Sequence, residues 1–183
     1  MKRVFTIIII LVMFSGCATT QMVKIEQKPE VVADQESAML VIIRDSYLGG
    51  AIVFWNYLDR QLIGETNGNS YIVAQVPPGP HYVISSTENT GVAHFNFQAG
   101  KVYYLRQGVT MGMWRARTSG FFPIPKEEAL DAMTKCSYLE LKPDAPREDL
   151  DPTIYQNAIN DYEGGIKEHP EAYKELLEYT GTR

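Results

Sequence analysis

The stretch IVFWNYLDRQLIGE, residues 52–65, is the strongest indicator of the fold class. Its first half, residues 52–58, is rich in aromatic and β-branched side chains, which favour β-strands. Asp59 and Arg60 follow as a tight turn, and residues 61–65 return as the partner strand. The stretch therefore predicts an antiparallel hairpin, and the chain on both sides of it repeats this pattern of short apolar runs and turns.

Short apolar runs separated by turn residues continue from residue 38 to residue 142. Strands at this close spacing are typical of a β-sandwich. The sequence therefore predicts a mainly β domain over residues 38–142, a small antiparallel β-sandwich or partly open barrel with one short helix at residues 125–134. The other predicted strands are residues 39–43, which we expect to be covered on both faces, and residues 71–76, 81–87, 92–97, 102–107 and 138–141. A last hydrophobic stretch spans residues 109–114. Residues 77–80 (PPGP) predict a loop because proline cannot donate to a sheet ladder.

The N-terminus has the pattern of a secretory signal peptide. Lys2 and Arg3 precede the apolar run of residues 4–14, which is shorter than the roughly 20 residues that cross a bilayer. Ser15-Gly16-Cys17 then resembles the bacterial lipobox. We expect residues 1–16 to be removed and Cys17 to be acylated, which would anchor the protein to a membrane. The alternative is a plain secretory signal with an incidental cysteine.

The predicted anchor implies a location in the cell envelope. Ala18 follows Cys17, and by resemblance to Gram-negative sorting rules the absence of aspartate there favours the outer membrane, facing the periplasm. We expect residues 17–37 to comprise the lipidated cysteine and a flexible tether. Residues 18–37 lack strong periodicity and would reach about 66 Å if fully extended.

Residues 143–183 form a separate acidic segment with ten acidic and four basic residues, in a chain whose formal net charge is −5. This charge makes nucleic acid an unfavourable partner. Asp151 and Pro152 predict the start of a helix that should end or loosen at Gly164-Gly165, and a second helix should follow His169. The apolar faces of both helices need a partner surface, which is either the β domain itself or another envelope protein.

Three motifs in the β domain occur in a fixed order: LDRQLIG at residues 58–64, PPGPH at residues 77–81 and AGKVYYLR at residues 99–106. Together they resemble a family of bacterial lipoproteins that is classified as a domain of unknown function (DUF2846) and related to PEGA-like β-sandwiches. Arg60 stands where that family usually has glycine, so the turn type can differ. The resemblance implies a fold and an envelope location over roughly residues 38–141, and no established activity.

No pattern of catalytic or metal-binding residues emerges from the sequence. His81, His94 and His169 lack the spacing of metal ligands, and the chain has no nucleophile elbow, phosphate loop or dinucleotide fingerprint. After acylation of Cys17, Cys136 has no disulfide partner and is expected to be a small buried group near a helix end. We therefore expect no cofactor, no metal and no enzymatic activity. An enzyme would need a site assembled from residues that the sequence does not group, such as Arg44, Asp45, His94 and Arg106.

The aromatic residues leave two interpretations open, because they can form the core or supply a binding surface. Our leading hypothesis is a non-enzymatic envelope lipoprotein that binds another envelope protein through its β domain or its tail. The alternative is a glycan- or peptidoglycan-binding module that uses exposed aromatic rings. The candidate binding surface consists of Trp55, Tyr57, Trp114, Tyr155, Tyr162 and Tyr173.

Overall fold

The computed structural model of the protein describes residues 20–113 and 115–183. The predicted signal peptide, Cys17 and Trp114 lie outside the described residues. The strands are β1 (Met22–Ile25), β2 (Ala38–Arg44), β3 (Phe54–Leu58), β4 (Gln61–Thr66), β5 (Ser70–Val76), β6 (Gly79–Ser86), β7 (Thr90–Phe97), β8 (Val102–Met111), β9 (Ala116–Pro123) and β10 (Ser137–Leu141). The helices are α1 (Lys126–Lys135), α2 (Pro152–Glu168) and α3 (Lys174–Glu178), with a 3₁₀ turn at Pro170–Tyr173 before α3.

Within the described residues the strands form two sheets, which confirms the mainly β prediction and the sandwich. The large sheet has the order β1-β10-β5-β2-β8-β9, and the small sheet has the order β4-β3-β6-β7. Most strand pairs are antiparallel, as predicted, but β2 runs parallel to β8 and β10 runs parallel to β5. Parallel neighbours need a long crossover, and the chain provides it by visiting the small sheet between them.

The main core lies between the two sheets. Strand β2 shows how the unbroken apolar run of residues 39–43 is used, because it is covered on both faces as predicted. Leu40 and Ile42 belong to the cluster between the sheets, whereas Val41 and Ile43 pack with the buried residues of α1. In β7, Ala93, Phe95 and Phe97 are buried in the core, as their alternation predicts.

Two boundaries differ from the sequence prediction. Strand β6 begins at Gly79 within the predicted loop, and Gly79 has a φ of 127°, which suits glycine. Strand β8 continues to Met111, beyond the predicted end at residue 107, and takes in the start of the hydrophobic stretch at residues 109–114. A shift of register at Gly108/Val109 lets β8 continue past the point where the sequence pattern changes.

The predicted tether of residues 17–37 is corrected at residues 22–25, which form β1. Strand β1 pairs with β10 from Met22↔Leu141 to Ile25↔Tyr138, and Met22 is 5% exposed. The segment has further attachments on both sides of this strand. Thr20 Oγ1 donates to Glu65 Oε2 at 2.7 Å, and Lys28 Nζ donates to the Met133 carbonyl at 2.5 Å. The strand covers the edge of β10, which would otherwise expose unpaired backbone groups.

The acidic tail folds back on the β domain. Helix α2 begins where predicted, since the Asp151 carboxylate accepts hydrogen bonds from the Ile154 and Thr153 amides, which lower the pKa of Asp151. Helix α2 contacts β7, and α3 contacts β7 and β9. The chain then forms a bridge in which Thr182 and Val102 exchange two backbone hydrogen bonds of 2.8 Å. The tail is therefore an integral layer of the fold.

Candidate functional site

A row of tyrosines joins the tail to the small sheet, and we call it the tyrosine seam: Tyr155, Tyr82, Tyr162 and Tyr173. Tyr82 on β6 meets Tyr155 and Tyr162 of α2 edge to face, with ring centroids 6.4 and 6.5 Å apart. Tyr162 meets Tyr173 in the same way at 5.4 Å. Three candidates from the sequence thus lie in one row. Tyr82 lies between Tyr155 and Tyr162 and contacts both rings. The sequence analysis did not select Tyr82, because its position in β6 gave no sign of this role.

Tyr162 is the most buried member of the seam, with 6% of its surface exposed. Burial raises the pKa of Tyr162 to about 12. Its hydroxyl lies beside the backbone of His94 at a geometry outside that of a hydrogen bond, so it has no hydrogen-bond partner among the described residues. Tyr162 therefore packs the tail against the sheet and offers little surface to a ligand.

Next to the seam is an open groove, which we call the tail groove. It lies between β7 and β9 on one side and α2, the 3₁₀ turn and α3 on the other, and its volume is about 850 Å³. Strands β7 and β9 are edge strands of the two sheets. The tail groove is lined by residues 89–92, 118–123, 158, 161, 162, 169 and 171–176.

Two glycines shape the walls of the tail groove. A Cβ atom on Gly91 would lie 2.9 Å from the Gly120 Cα atom, so glycine lets the edges of the two sheets approach each other. A Cβ atom on Gly165 would lie 2.4 Å from the Tyr173 hydroxyl. The sequence predicts that α2 should end or loosen at Gly164-Gly165, but the helix does not end there and continues to Glu168, and Tyr173 packs in the space that Gly165 leaves.

The rim of the tail groove is acidic. Asp161, Glu171 and Glu175 are exposed carboxylates that line it, against the single lysine Lys174. Sequence reasoning registered the acidity of the tail but did not select these residues. The only sign in the sequence was the high proportion of acidic residues after residue 143. Which of them border the groove became clear only from the position of the tail against β9.

The other aromatic candidates lie elsewhere. Trp55 is 39% exposed and lines a separate pocket of about 360 Å³ with Thr20, Glu88 and Arg115. Tyr57 is half-buried on the same strand, and burial, followed by the charge of Glu148, raises its pKa. The structure does not bring these residues together with the tyrosine seam.

The histidines have structural surroundings. His81 Nδ1 lies 2.8 Å from Asp59 Oδ2, and the other oxygen of Asp59 accepts a 2.9 Å hydrogen bond from the Tyr82 amide. Asp59 has a φ of 53° in the β3–β4 turn. The LDRQLIG and PPGPH motifs therefore meet here and fix the β3–β4 turn. This gives His81 a structural role. His94 packs against the Tyr82 ring at 4.5 Å, and His169 is exposed between α2 and the 3₁₀ turn.

Of the four residues that an enzyme would need, the structure brings Arg106 and Asp45 together, while Arg44 and His94 lie apart from them. Arg106 forms ion pairs with Asp45 at 2.9 Å and with Glu128 of α1 at 2.8 Å. Arg44 is fully buried, and burial lowers its pKa to about 10. His94 packs on the small sheet near α2, and therefore on a different layer from Arg106.

A polar network also lies inside the sandwich. The amide of Gln107 donates to Asn56 Oδ1 and to Ser85 Oγ at 2.7 Å each, and Thr66 also bonds to Gln107. These groups satisfy one another, so the network stabilises the interior and leaves no free group for a ligand.

Metal and thiol chemistry find little support in the part of the chain that the structure describes. In residues 20–113 and 115–183, no three His, Cys, Asp or Glu side chains are grouped to hold a metal ion. Cys136 is buried at the end of α1, as predicted, and burial, followed by the charge of Asp45, raises the pKa of its thiol to about 11. Such a thiol is a poor nucleophile at neutral pH.

None of the described helices is both long enough and apolar enough to cross a bilayer.

Comparison with known proteins agrees with the motif-based resemblance. A family model described as "Protein of unknown function (DUF2846)" matches residues 34–121. An uncharacterized protein of Haemophilus influenzae is 25% identical over 135 residues, which cover 71% of this chain and 80% of that protein. No solved structure matches the chain. The matched family segment ends within β9, so the tail and half of the tail groove lie outside it.

Proposed function

We propose that the protein is a non-enzymatic envelope lipoprotein, anchored through Cys17 to the outer membrane and facing the periplasm, that binds a segment of another envelope protein in the tail groove. The proposal retains the relation to PEGA-like β-sandwiches for the β domain. The observation that supports this proposal is the tail groove, which lies open between two sheet edges and the docked tail. Three carboxylates border the groove.

The size and charge of the tail groove define the partner. A volume of about 850 Å³ lies within the range of protein ligand sites, roughly 300–1,000 Å³. The edge of β9 is unsuited to strand addition, because Gly120 has a φ of 99° and the strand ends at Pro123. Recognition then rests on side chains, and the acidic rim favours a segment that carries lysine or arginine beside apolar residues.

Site-specific photo-crosslinking in intact cells tests this proposal. A photoreactive amino acid is placed at Ser119 on β9 or at Ala172 on the 3₁₀ turn, which are exposed residues on opposite walls of the tail groove. The matched control is Leu130, an exposed residue of α1. This helix packs on the large sheet, away from the tail groove. We expect Ser119 and Ala172 to capture the same protein and Leu130 not to capture it.

Charge reversal adds a second requirement. Glu171→Lys and Glu175→Lys together should abolish the crosslink from Ser119 while the circular dichroism spectrum is unchanged, because both carboxylates are exposed. Equal capture from Ser119 and Leu130, or capture that survives charge reversal, would contradict binding in the tail groove.

The anchor has its own test. Metabolic labelling with a palmitate analogue should mark the wild-type chain, and Cys17→Ala should remove the label. A labelled Cys17→Ala chain, or an unlabelled wild-type chain, would contradict acylation at Cys17.

A second candidate function is glycan binding at Trp55. The exposed indole lines a pocket with Glu88 and Arg115, and a ring beside polar groups suits a sugar. This function predicts that the purified protein co-sediments with peptidoglycan sacculi and that Trp55→Ala reduces the bound fraction several-fold. Binding that Trp55→Ala leaves unchanged would contradict it.

A further inference from the structure

One end of the sandwich exposes large apolar side chains, and we call it the loop tip. It consists of the β2–β3 loop, residues 45–53, together with Met111 at the end of β8 and residues 112, 113 and 115 between β8 and β9. Tyr47 is 81% exposed and Met113 is 86% exposed, and Leu48 and Met111 beside them are also exposed. Apolar side chains clustered at a surface mark a site of interaction. The loop tip therefore needs an apolar partner.

The β2–β3 loop is held in a fixed position. The guanidinium of the buried Arg44 donates to the carbonyls of Ile52 at 2.6 Å, Gly49 at 2.8 Å and Leu48 at 3.0 Å. A Cβ atom on Gly49 would lie 2.1 Å from the Ala116 Cβ atom, so this loop packs directly against the start of β9. The exposed side chains are presented by a braced loop.

Basic residues flank the apolar ones. Arg115 and Arg117 are exposed beside Met113, and Arg115 lies 3.7 Å from Glu88. Exposed apolar side chains next to arginines are the composition that proteins use at the boundary between lipid headgroups and acyl chains. Tyrosine is also enriched at this boundary. The loop tip thus differs in charge from the acidic tail.

The chain reaches the predicted anchor from this same end. Thr20 lines the Trp55 pocket together with residues 51–53 and Arg115 of the loop tip. Cys17 precedes Thr20 by three residues, which span at most about 11 Å. We propose that the loop tip docks into the lipid–water interface of the bilayer that holds the acyl chains of Cys17. This proposal rests on the acylation of Cys17.

The docked orientation has a consequence for the rest of the molecule. The β7–β8 turn, residues 98–101, lies at the opposite end of β8 from Met111, so it points away from the bilayer. The tail groove lies along β7 and β9, between these two ends, and stays open to the periplasm.

Fluorescence depth measurement on the full-length lipoprotein tests the docking. Cys136→Ala removes the buried thiol, and an environment-sensitive NBD label is attached at Met113→Cys or, as the matched control, at the exposed Ala99→Cys of the β7–β8 turn. The lipoprotein is reconstituted into vesicles of phosphatidylethanolamine and phosphatidylglycerol, and vesicle flotation is measured on the same samples. We expect blue-shifted emission and several-fold stronger quenching by nitroxide-labelled lipids at position 113 than at position 99.

The outcomes separate the docking from the anchor. Protein that floats with the vesicles but shows the same quenching at positions 113 and 99 would overturn the docking and leave acylation intact. Protein that does not float would overturn acylation and the docking with it. As an independent variant, Tyr47→Ser with Met111→Ser, which keeps the label site and the anchor, should reduce the quenching at position 113. Unchanged quenching in that variant would also overturn the proposal.

Discussion

The two terminal segments of the described chain are attached to the β domain by different forces. In the first segment, β1 attaches mainly through the backbone, since it pairs with β10 over four residues and only Met22 of the strand is buried. The tail attaches through side chains, with Ala158, Ile159, Tyr162 and Leu176 buried against the domain. Side-chain attachment leaves a periodic pattern in the sequence, whereas backbone pairing leaves almost none. This difference explains why the tail could be predicted to need a partner surface and β1 could not be predicted at all.

The largest effect is expected for the tyrosine seam. Tyr162→Ala should lower the free energy of unfolding by about 3 kcal/mol or more, because it removes a buried aromatic ring and leaves a cavity. Urea unfolding measured by circular dichroism would quantify this loss. Ile154→Ala on the exposed side of α2 is the matched control and should change stability by less than about 0.5 kcal/mol.

The hydroxyl of Tyr162 gives a sharper version of this test. Tyr162→Phe keeps the ring and removes a buried hydroxyl that has no hydrogen-bond partner among the described residues, so it should leave stability unchanged or raise it. A loss as large as that of Tyr162→Ala would show that the hydroxyl, and not the ring, holds the tail.

A smaller effect is expected in β1. Met22→Ala should lower the free energy of unfolding by about 2 kcal/mol, because the side chain is buried but the backbone pairing with β10 remains. The neighbouring Val23, which is partly exposed, serves as the control, and Val23→Ala should have little effect. If Met22→Ala and Val23→Ala give equal midpoints in urea, the segment is attached more loosely than its pairing indicates.

The smallest effect concerns pH. The Cys136 thiol has an ordinary pKa of 9.0, which burial raises to about 11 in the folded protein. Above pH 9 the unfolded chain loses this proton while the folded chain keeps it, so the stability present below pH 9 is lost as the pH rises towards 11. Between pH 8 and pH 10 the loss should be about 1 kcal/mol.

The comparison of wild type with Cys136→Ala isolates this contribution. Buried tyrosines such as Tyr71 and Tyr162, whose pKa values burial raises to about 12, add a loss of the same sign above pH 10 in both proteins. Urea midpoints at pH 8 and pH 10 should therefore fall more in wild type than in Cys136→Ala. Equal slopes would mean that the thiol is not protected by the fold.

Much of the fold could be predicted from local patterns. The β3–β4 hairpin, the alternating face of β7 and the Asp151 cap of α2 follow from residue types at fixed spacings. The parallel pairings of β2 with β8 and of β10 with β5 could not be predicted, because strand order depends on contacts between distant segments. Gly164-Gly165 misled for the same reason, since the packing of Tyr173 against α2 outweighed the low helix propensity of glycine.

The candidate site could be predicted only in part. The sequence selected Tyr155, Tyr162 and Tyr173, which do lie together, but it gave no reason to separate a buried ring from an exposed one. Asp161, Glu171 and Glu175 became candidates only when the tail was placed beside β9. A groove between two segments is a property of their docking, and no pattern within either segment encodes it.

Amide hydrogen exchange on the full-length lipoprotein tests most directly whether both terminal segments belong to the folded unit. Peptides that cover residues 20–27 and 155–166 would be compared with a peptide from β10, the partner of β1. We predict slow exchange in all three, with protection that is lost together in urea. Exchange at residues 22–25 as fast as in an unfolded peptide, with protection kept in β10, would contradict the assignment of β1 to the folded unit. Cys17 would then be separated from the domain by a longer unfolded segment, and the membrane docking would lose its basis.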